Sequence, residues 1–309
     1  MQRSQVQQTR VSAPKRRSRS WRPRLNLLNC AVLLAVHATA LLGFWFPPRK
    51  IDLFLLVFLY LVTCFGITLG YHRLLAHRSY MCEVWLRRLL TWMGAMAMQR
   101  GPSEWVAAHR RHHQRVDREG DPHSPVRGFF HAHIGWVMRW AYLDGVNPRS
   151  LVPDVCGDDP WIRVLDRGIL FALPWVMAAL CCYAVAGWRA VLWGSVLRTF
   201  ALWHSTWCVN SVCHYWGQRP NRTTDESRNV WWVGLLVLGE GWHNNHHACP
   251  KAALHGWRWY EVDMSGYVIR LMHYCGLIWN VVYASGPARR FSARTAHRWS
   301  DRALPSPQS

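Results

Sequence analysis

Histidine supplies 17 of the 309 residues, and most of these fall in four short stretches. His109, His112 and His113 lie in HRRHH; His243, His246 and His247 lie in HNNHH. Positions i, i+3 and i+4 cover about 100° of an α-helix, so each trio is expected to project from one face. Neutral imidazoles arrayed in that way suit metal ligation. His72 and His77 in HRLLAH are five apart, about 140° around an α-helix. Such a pair cannot grip one ion from one helical face; it serves two neighbouring ions, or one ion if the helix ends between them. Asn210 and His214 in NSVCH are again i, i+4. His214 is thus a candidate ninth imidazole, and Asn210 a candidate holder of a metal-bound water.

A lone HxxHH reads as readily as a solvated basic face. Two of them, with HxxxxH, all at the ends of apolar runs, read as a metal centre. Eight or nine imidazoles exceed the four ligands of one tetrahedral zinc, which suggests two ions. Carboxylates at ligand spacing are absent, unlike the Glu-x-x-His pattern of soluble di-iron bundles. Imidazole suits iron, copper, nickel and zinc alike. Two irons at a membrane face would suit activation of O₂ against an inert C–H bond. His131 and His133 in HAH, and His37 inside an apolar run, are expected to be structural. His123, His204, His255, His273 and His297 have no assigned role.

The elements that must position these side chains are apolar helices. Residues 25–46 and 53–71 carry no formal charge except at the turn PPRKID. Each run is long enough to cross an apolar layer of about 30 Å at about 1.5 Å per residue. A second pair follows at 168–188 and 190–208, interrupted by Arg198, which is expected to face protein inside the bundle. Four transmembrane helices in two hairpins result, with a cytosolic helical cap from 72–167 and 209–285. The whole is an all-α membrane protein with one domain at 25–285 and basic tails at 1–24 and 286–309. Residues 84–98 are expected to lie along the membrane surface as a helix, and 266–283 to form a packed or interfacial helix rather than a fifth span. The run 230–238 is too short to span and is expected to seat the cap on the membrane. Asn244 and Asn245 read as spacers.

Charge supports this topology. Lys and Arg number 37 against 17 Asp and Glu, a net charge of +20. That charge flanks apolar runs and sits in the tails and long segments, so nucleic acid is not the expected partner. By the positive-inside rule, both termini and the histidines are expected on the cytoplasmic side. Ten cysteines without any CxxC give no disulfide framework and no rubredoxin-type iron site.

With these residues in view, the chain resembles the membrane fatty acid desaturases, in the acyl-CoA (stearoyl-type) delta-9 branch and in a bacterial-like form. The carrying stretches are GYHRLLAHRSY (70–80), EWVAAHRRHH (104–113), DPHSPVRGFFHAHIGW (121–136), WCVNSVCHYWG (207–217) and GEGWHNNHH (239–247). The resemblance covers roughly 28–285. It implies two iron ions held by His72, His77, His109, His112, His113, His214, His243, His246 and His247, with Asn210 acting through water. It further implies O₂-dependent removal of two hydrogens from an acyl chain to leave a cis double bond, between carbons 9 and 10. Animal members of this family carry an Arg-Asp pair directly before the second histidine box. Here Ala107 and Ala108 stand there, and QRGPSEW (99–105) resembles bacterial members, some of which act on lipid-bound chains.

The other N–H groups of ligating imidazoles need acceptors. Glu104, Asp121, Asp225, Glu226 and Glu240 lie close in sequence. Electrons must come from an external carrier of ferredoxin or cytochrome b5 type, docked on the basic cytosolic face. The nearest rival function is a membrane fatty acid hydroxylase using the same boxes. A metal transporter or sensor would instead need ligands within the bilayer, where the runs offer little beyond His37 and Arg198.

Overall fold

The structure is a computed structural model that describes residues 25–139, 148–156 and 159–284. Both basic tails and His297 lie outside the described residues. Among the described residues, two helices are long and apolar enough to cross a membrane. The first, α1 (Leu27–Leu41), continues as a 3₁₀ turn to Phe44; the second is Lys50–Ala76. Their mean hydropathies are 2.0 and 2.4. Arg49 and Asp52 close the N-terminus of the second helix with a capping box, Arg49 N–H donating to Asp52 Oδ2 at 2.8 Å.

That second helix is not uniform. It is α-helical over Lys50–Phe65 (α2) and π-helical over Gly66–Ala76. It is therefore longer than the run 53–71 that the absence of charge outlines, and at about 1.5 Å per residue its 27 residues reach about 40 Å. The extra turns carry HRLLAH. The π stretch lies against α3 (Val84–Ala95) with almost no gap. A Cβ on Gly66 would come within 2.2 Å of Gly94 N, and one on Gly70 within 2.7 Å of Leu90 O.

The second apolar pair forms α5 (Leu173–Ala186) and, after a turn at Gly187, a helix from Trp188. This helix passes through a π segment (Leu192–Leu197) into α6 (Arg198–Asn210). Leu170–Ala186 is apolar but shorter than the first two. Gly194 lets this hairpin close on the first: its missing Cβ would meet Cys182 Sγ at 2.9 Å and Leu55 Cβ at 3.2 Å. Arg198 is fully buried, and its Nη1 donates to Met96 O (2.8 Å) at the end of α3. Apart from Lys50 at a helix end, the exposed residues of these helices are apolar: Leu27 is 78% exposed, Leu34 70%, Leu180 63% and Val185 63%. Such a continuous apolar exterior suits hydrocarbon rather than water.

The remaining helices cap the cluster. They include α4 (Pro102–Arg115) between α3 and α5, then α7 (Val212–Tyr215), α8 (Trp231–Leu236), α9 (His243–Ala248) and α10 (Met264–Tyr274), with short helical turns between residues 148 and 165. Two expectations need correction here. The stretch 266–283 is not one helix. Gly276, at φ +71°, ends it in a left-handed turn that glycine tolerates, with Leu277 N–H donating to Met272 O (2.9 Å). Nor is the fold wholly helical: Ile278–Trp279 then pairs antiparallel with Met81–Cys82, Met81 opposite Trp279.

Candidate metal centre

Nine imidazoles converge, and they divide into two sets. His72, His77, His109, His113 and His246 form one; His112, His214, His243 and His247 form the other. Within each set the facing ring nitrogens lie within 4.8 Å of one another. The pair His72–His77 is the first correction. The two belong to one set, with Nε2 atoms 3.1 Å apart. The helix does not end between them; it widens. His77 N–H donates to His72 O at 3.0 Å, the i to i−5 bond of a π-helix, which stacks residues five apart nearly above each other.

The HxxHH trios each divide between the two sets. In α4, His109 and His113, one α-turn apart, enter the first set, while His112 enters the second. In α9 the division is reversed, with His243 and His247 in the second set and His246 in the first. A face about 100° wide is broad enough for its middle and edges to look at different points. His214 joins from α7. Asn210 closes α6 one residue before the break at Ser211, so the uninterrupted helical turn expected between Asn210 and His214 is absent. Asn210 is half-buried.

These donor atoms fit metals. In the first set Nε2 separations are 2.7 Å (His77–His109), 3.0 Å (His113–His246), 3.1 Å (His109–His113) and 3.3 Å (His72–His246). Five nitrogens this close cannot all be paired N–H to lone pair. Ligands at right angles on bonds of roughly 2.1 Å would sit about 3 Å apart. In the second set, His214 and His243 have Nε2 atoms 3.1 Å apart, and the Nε2 atoms of His112 and His247 are buried without a hydrogen-bond partner. Burial lowers the pKa of His109, His113, His243, His246 and His247 well below the ordinary histidine value, and neighbouring imidazoles lower it further. Burial and then His214 bring His112 to about 3. These six rings are therefore neutral near pH 7, as ligation requires.

Carboxylates hold the outward nitrogens. Glu240 Oε2 lies 2.7 Å from His72 Nδ1 and 3.1 Å from His255 Nδ1. Asp121 takes His112 Nδ1 at 3.0 Å, and Asp225 takes His247 Nδ1 at 3.1 Å. Three of the five acidic residues near the boxes thus do what was expected. Glu104 instead pairs with Arg100 and Glu226 with Arg219 and Arg228. Sequence reasoning missed Asp117, whose Oδ1 lies 3.2 Å from His214 Nδ1 without good hydrogen-bond alignment. It also missed Arg73, fully buried, which donates to Glu240 Oε1 (3.0 Å) and Asp263 Oδ1 (2.8 Å). Burial pushes Glu240 up, but His255, His72 and Arg73 outweigh it and hold the carboxyl well below its usual range. Burial alone leaves Asp121 raised.

Asn244 and Asn245 are not spacers. Asn229 Oδ1 accepts from both of their backbone N–H groups, at 2.9 and 3.2 Å, and so caps α9 from outside the helix. His37 and His133, expected to be structural, are hydrogen-bonded within the bundle. His37 Nδ1 donates to Leu33 O at 2.7 Å and its Nε2 faces His204 at 3.1 Å; His133 bridges His204 and Ser211.

The family follows from comparison with known proteins. The fatty acid desaturase family model matches residues 52–270. The chain is 42% identical over 264 residues to an sn-2 palmitoyl-lipid 9-desaturase of Nostoc sp. (strain 36), covering 84% of this chain and 91% of that one. It is 38% identical over 268 residues to an sn-1 stearoyl-lipid 9-desaturase of Anabaena variabilis, covering 86% and 97%. An icosanoyl-CoA 5-desaturase of Limnanthes douglasii is 38% identical over 265 residues, covering 85% and 74%. The chain belongs to the fatty acid desaturase family and is an oxidoreductase acting on fatty acyl chains.

Proposed function

We propose that this protein introduces a cis double bond at carbon 9 of a saturated acyl chain carried on a membrane lipid. The observation that carries the reading is the convergence of nine imidazoles into two sets at the ends of apolar helices. His72, His77, His109, His113 and His246 would hold one iron; His112, His214, His243 and His247, with Asn210 through water, would hold the other. Bound there, two irons supply activation of O₂ and removal of two hydrogens from adjacent methylenes. The chain's own contribution is positioning. Glu240, Asp121 and Asp225 fix ring orientation through Nδ1, and burial of the set excludes water.

Lipid rather than CoA as carrier is supported by Ala107 and Ala108. Both are buried and uncharged in α4, where animal relatives place a charged pair. Relatives named for sn-1 and sn-2 lipid positions agree with that carrier. Four spans in two hairpins, with both termini and the histidines cytoplasmic, agree with the apolar exterior and with HRLLAH lying on the part of a helix about 40 Å long that exceeds a 30 Å layer. Exposed Arg115, Arg118, Lys251 and Arg258 suit an acidic electron carrier of ferredoxin or cytochrome b5 type.

Expression in a host lacking desaturase, followed by mass spectrometry of intact lipids, tests the reading. Esterified acyl chains two mass units lighter are expected, with the double bond at carbon 9. A gain of sixteen units, or an unchanged profile with the protein present and loaded with iron, would sink it. His246→Ala is expected to abolish turnover and lower bound iron.

A further inference from the structure

The groups behind the imidazoles separate the two sets. In the second set three of four rings turn Nδ1 toward a carboxylate: His112 to Asp121 (3.0 Å), His214 to Asp117 (3.2 Å) and His247 to Asp225 (3.1 Å). Backbone N–H groups supply the other hydrogen bonds of these carboxylates: Glu226 to Asp117, Asp117 and His123 to Asp121, and Ser227 to Asp225; the His123 ring also faces Asp121, its Nδ1 3.9 Å from Oδ1. Among the described residues no arginine or lysine is paired with any of the three side chains. In the first set five rings share one carboxylate, Glu240, on His72. Arg73 compensates it and is shared with Asp263. The formal charge behind the second set is −3. Behind the first it is −1, two carboxylates less one guanidinium.

Negative charge close to a metal in a poorly polarisable interior favours its higher oxidation state. Carboxylates on Nδ1 act in the same direction by making the imidazole a stronger donor. We infer that Asp117, Asp121 and Asp225 make the second metal position the easier of the two to oxidise, so that the two irons change valence in order rather than together. Arg73 is the counterpart, holding the first position toward the ferrous state. The inference rests on the two-iron reading above. It adds that electrons from a one-electron carrier meet two unlike positions.

The holoprotein, loaded with ⁵⁷Fe in lipid nanodiscs, is poised at a series of potentials without O₂. Ferrous and ferric iron are then counted by Mössbauer spectroscopy. Two steps of equal size are expected. Asp225→Asn is expected to delay the first step and leave the second in place, and Asp117→Asn gives the same reading should Asp225→Asn not accumulate. If either variant loses one iron, the remaining iron belongs to the first set and is expected to follow the native second step. A single step in the native protein overturns the inference. So does a surviving iron that follows the native first step, or a fully loaded variant in which the first step does not move. A native preparation with far fewer than two irons per chain fails the two-iron reading instead.

Discussion

Asn245 uses both ends of its amide twice. Its Oδ1 accepts from Asn221 Nδ2 (2.8 Å) and Asn229 Nδ2 (2.9 Å); its Nδ2 donates to Glu261 Oε2 (2.8 Å) and His255 O (2.9 Å). It is buried beside His246, so the near-isosteric Asn245→Leu would strand several polar groups at once. Each stranded group costs about 1–3 kcal/mol, and the loss is expected to be on the order of 3 kcal/mol or more. Thermal unfolding with iron content measured in parallel checks this: both are expected to fall, and a stable, fully loaded Asn245→Leu would contradict it. Protonation offers a second test. Burial and His214 depress His112 to about 3 in the folded chain, against about 6.5 when unfolded. Below pH 6.5 the unfolded chain therefore takes up a proton that the folded chain refuses. Stability of the metal-free protein is present above that pH and lost as pH falls toward 3, by up to ~1.4 kcal/mol per pH unit for this group. Unfolding midpoints of chelator-stripped protein are expected to be lower at pH 5 than at pH 7.5. The ligands were readable because their spacings are local. Asn245 was not, since its side-chain partners Asn221, Asn229 and Glu261 lie 16 to 24 residues away and no local pattern links them.

At the scale of elements, the π-helix decides the geometry of the first set. The spacing of His72 and His77 looks wrong for one ion only under α-helical periodicity; the sequence marks the wider turn by nothing more than the two glycines that let it press on α3. Gly66→Ala tests that contact. Its Cβ would meet backbone at 2.2 Å, which cannot be relieved by a side-chain rotation. The helices must separate, at a cost of at least about 2 kcal/mol, tilting His72 and His77 away from His109. Lower stability is expected together with loss of about one iron of two, whereas Gly43→Ala, facing only the flexible Leu197 side chain and the Trp193 ring, is expected to keep both. The reciprocal use of α4 and α9 was half legible. Periodicity supplied the face of each helix, but only packing decides which of two neighbouring points each ring on that face addresses.

For the whole molecule, charge and hydropathy divide the chain into an apolar body and a basic cap, and this division was plain in the sequence because it depends on totals over long runs. The ends of the runs were less plain, since helices such as Lys50–Ala76 continue past the last uncharged residue when protein, not water, receives the polar side chains. Arg115 and Arg118 are exposed at the end of the helix that carries His109, His112 and His113. An acidic carrier docked there would deliver electrons close to both sets. Attraction between exposed charges is screened within about 8–10 Å at physiological salt, so the rate with such a carrier is expected to fall as ionic strength rises. Arg115→Glu with Arg118→Glu is expected to raise the carrier concentration needed for half-maximal turnover roughly tenfold, the equivalent of about 1.4 kcal/mol, and to flatten the salt dependence. Turnover driven by a small uncharged reductant should be unchanged in the same variant, because neither arginine touches a ligand. Equal loss with both reductants would place the defect in the metal centre rather than in docking.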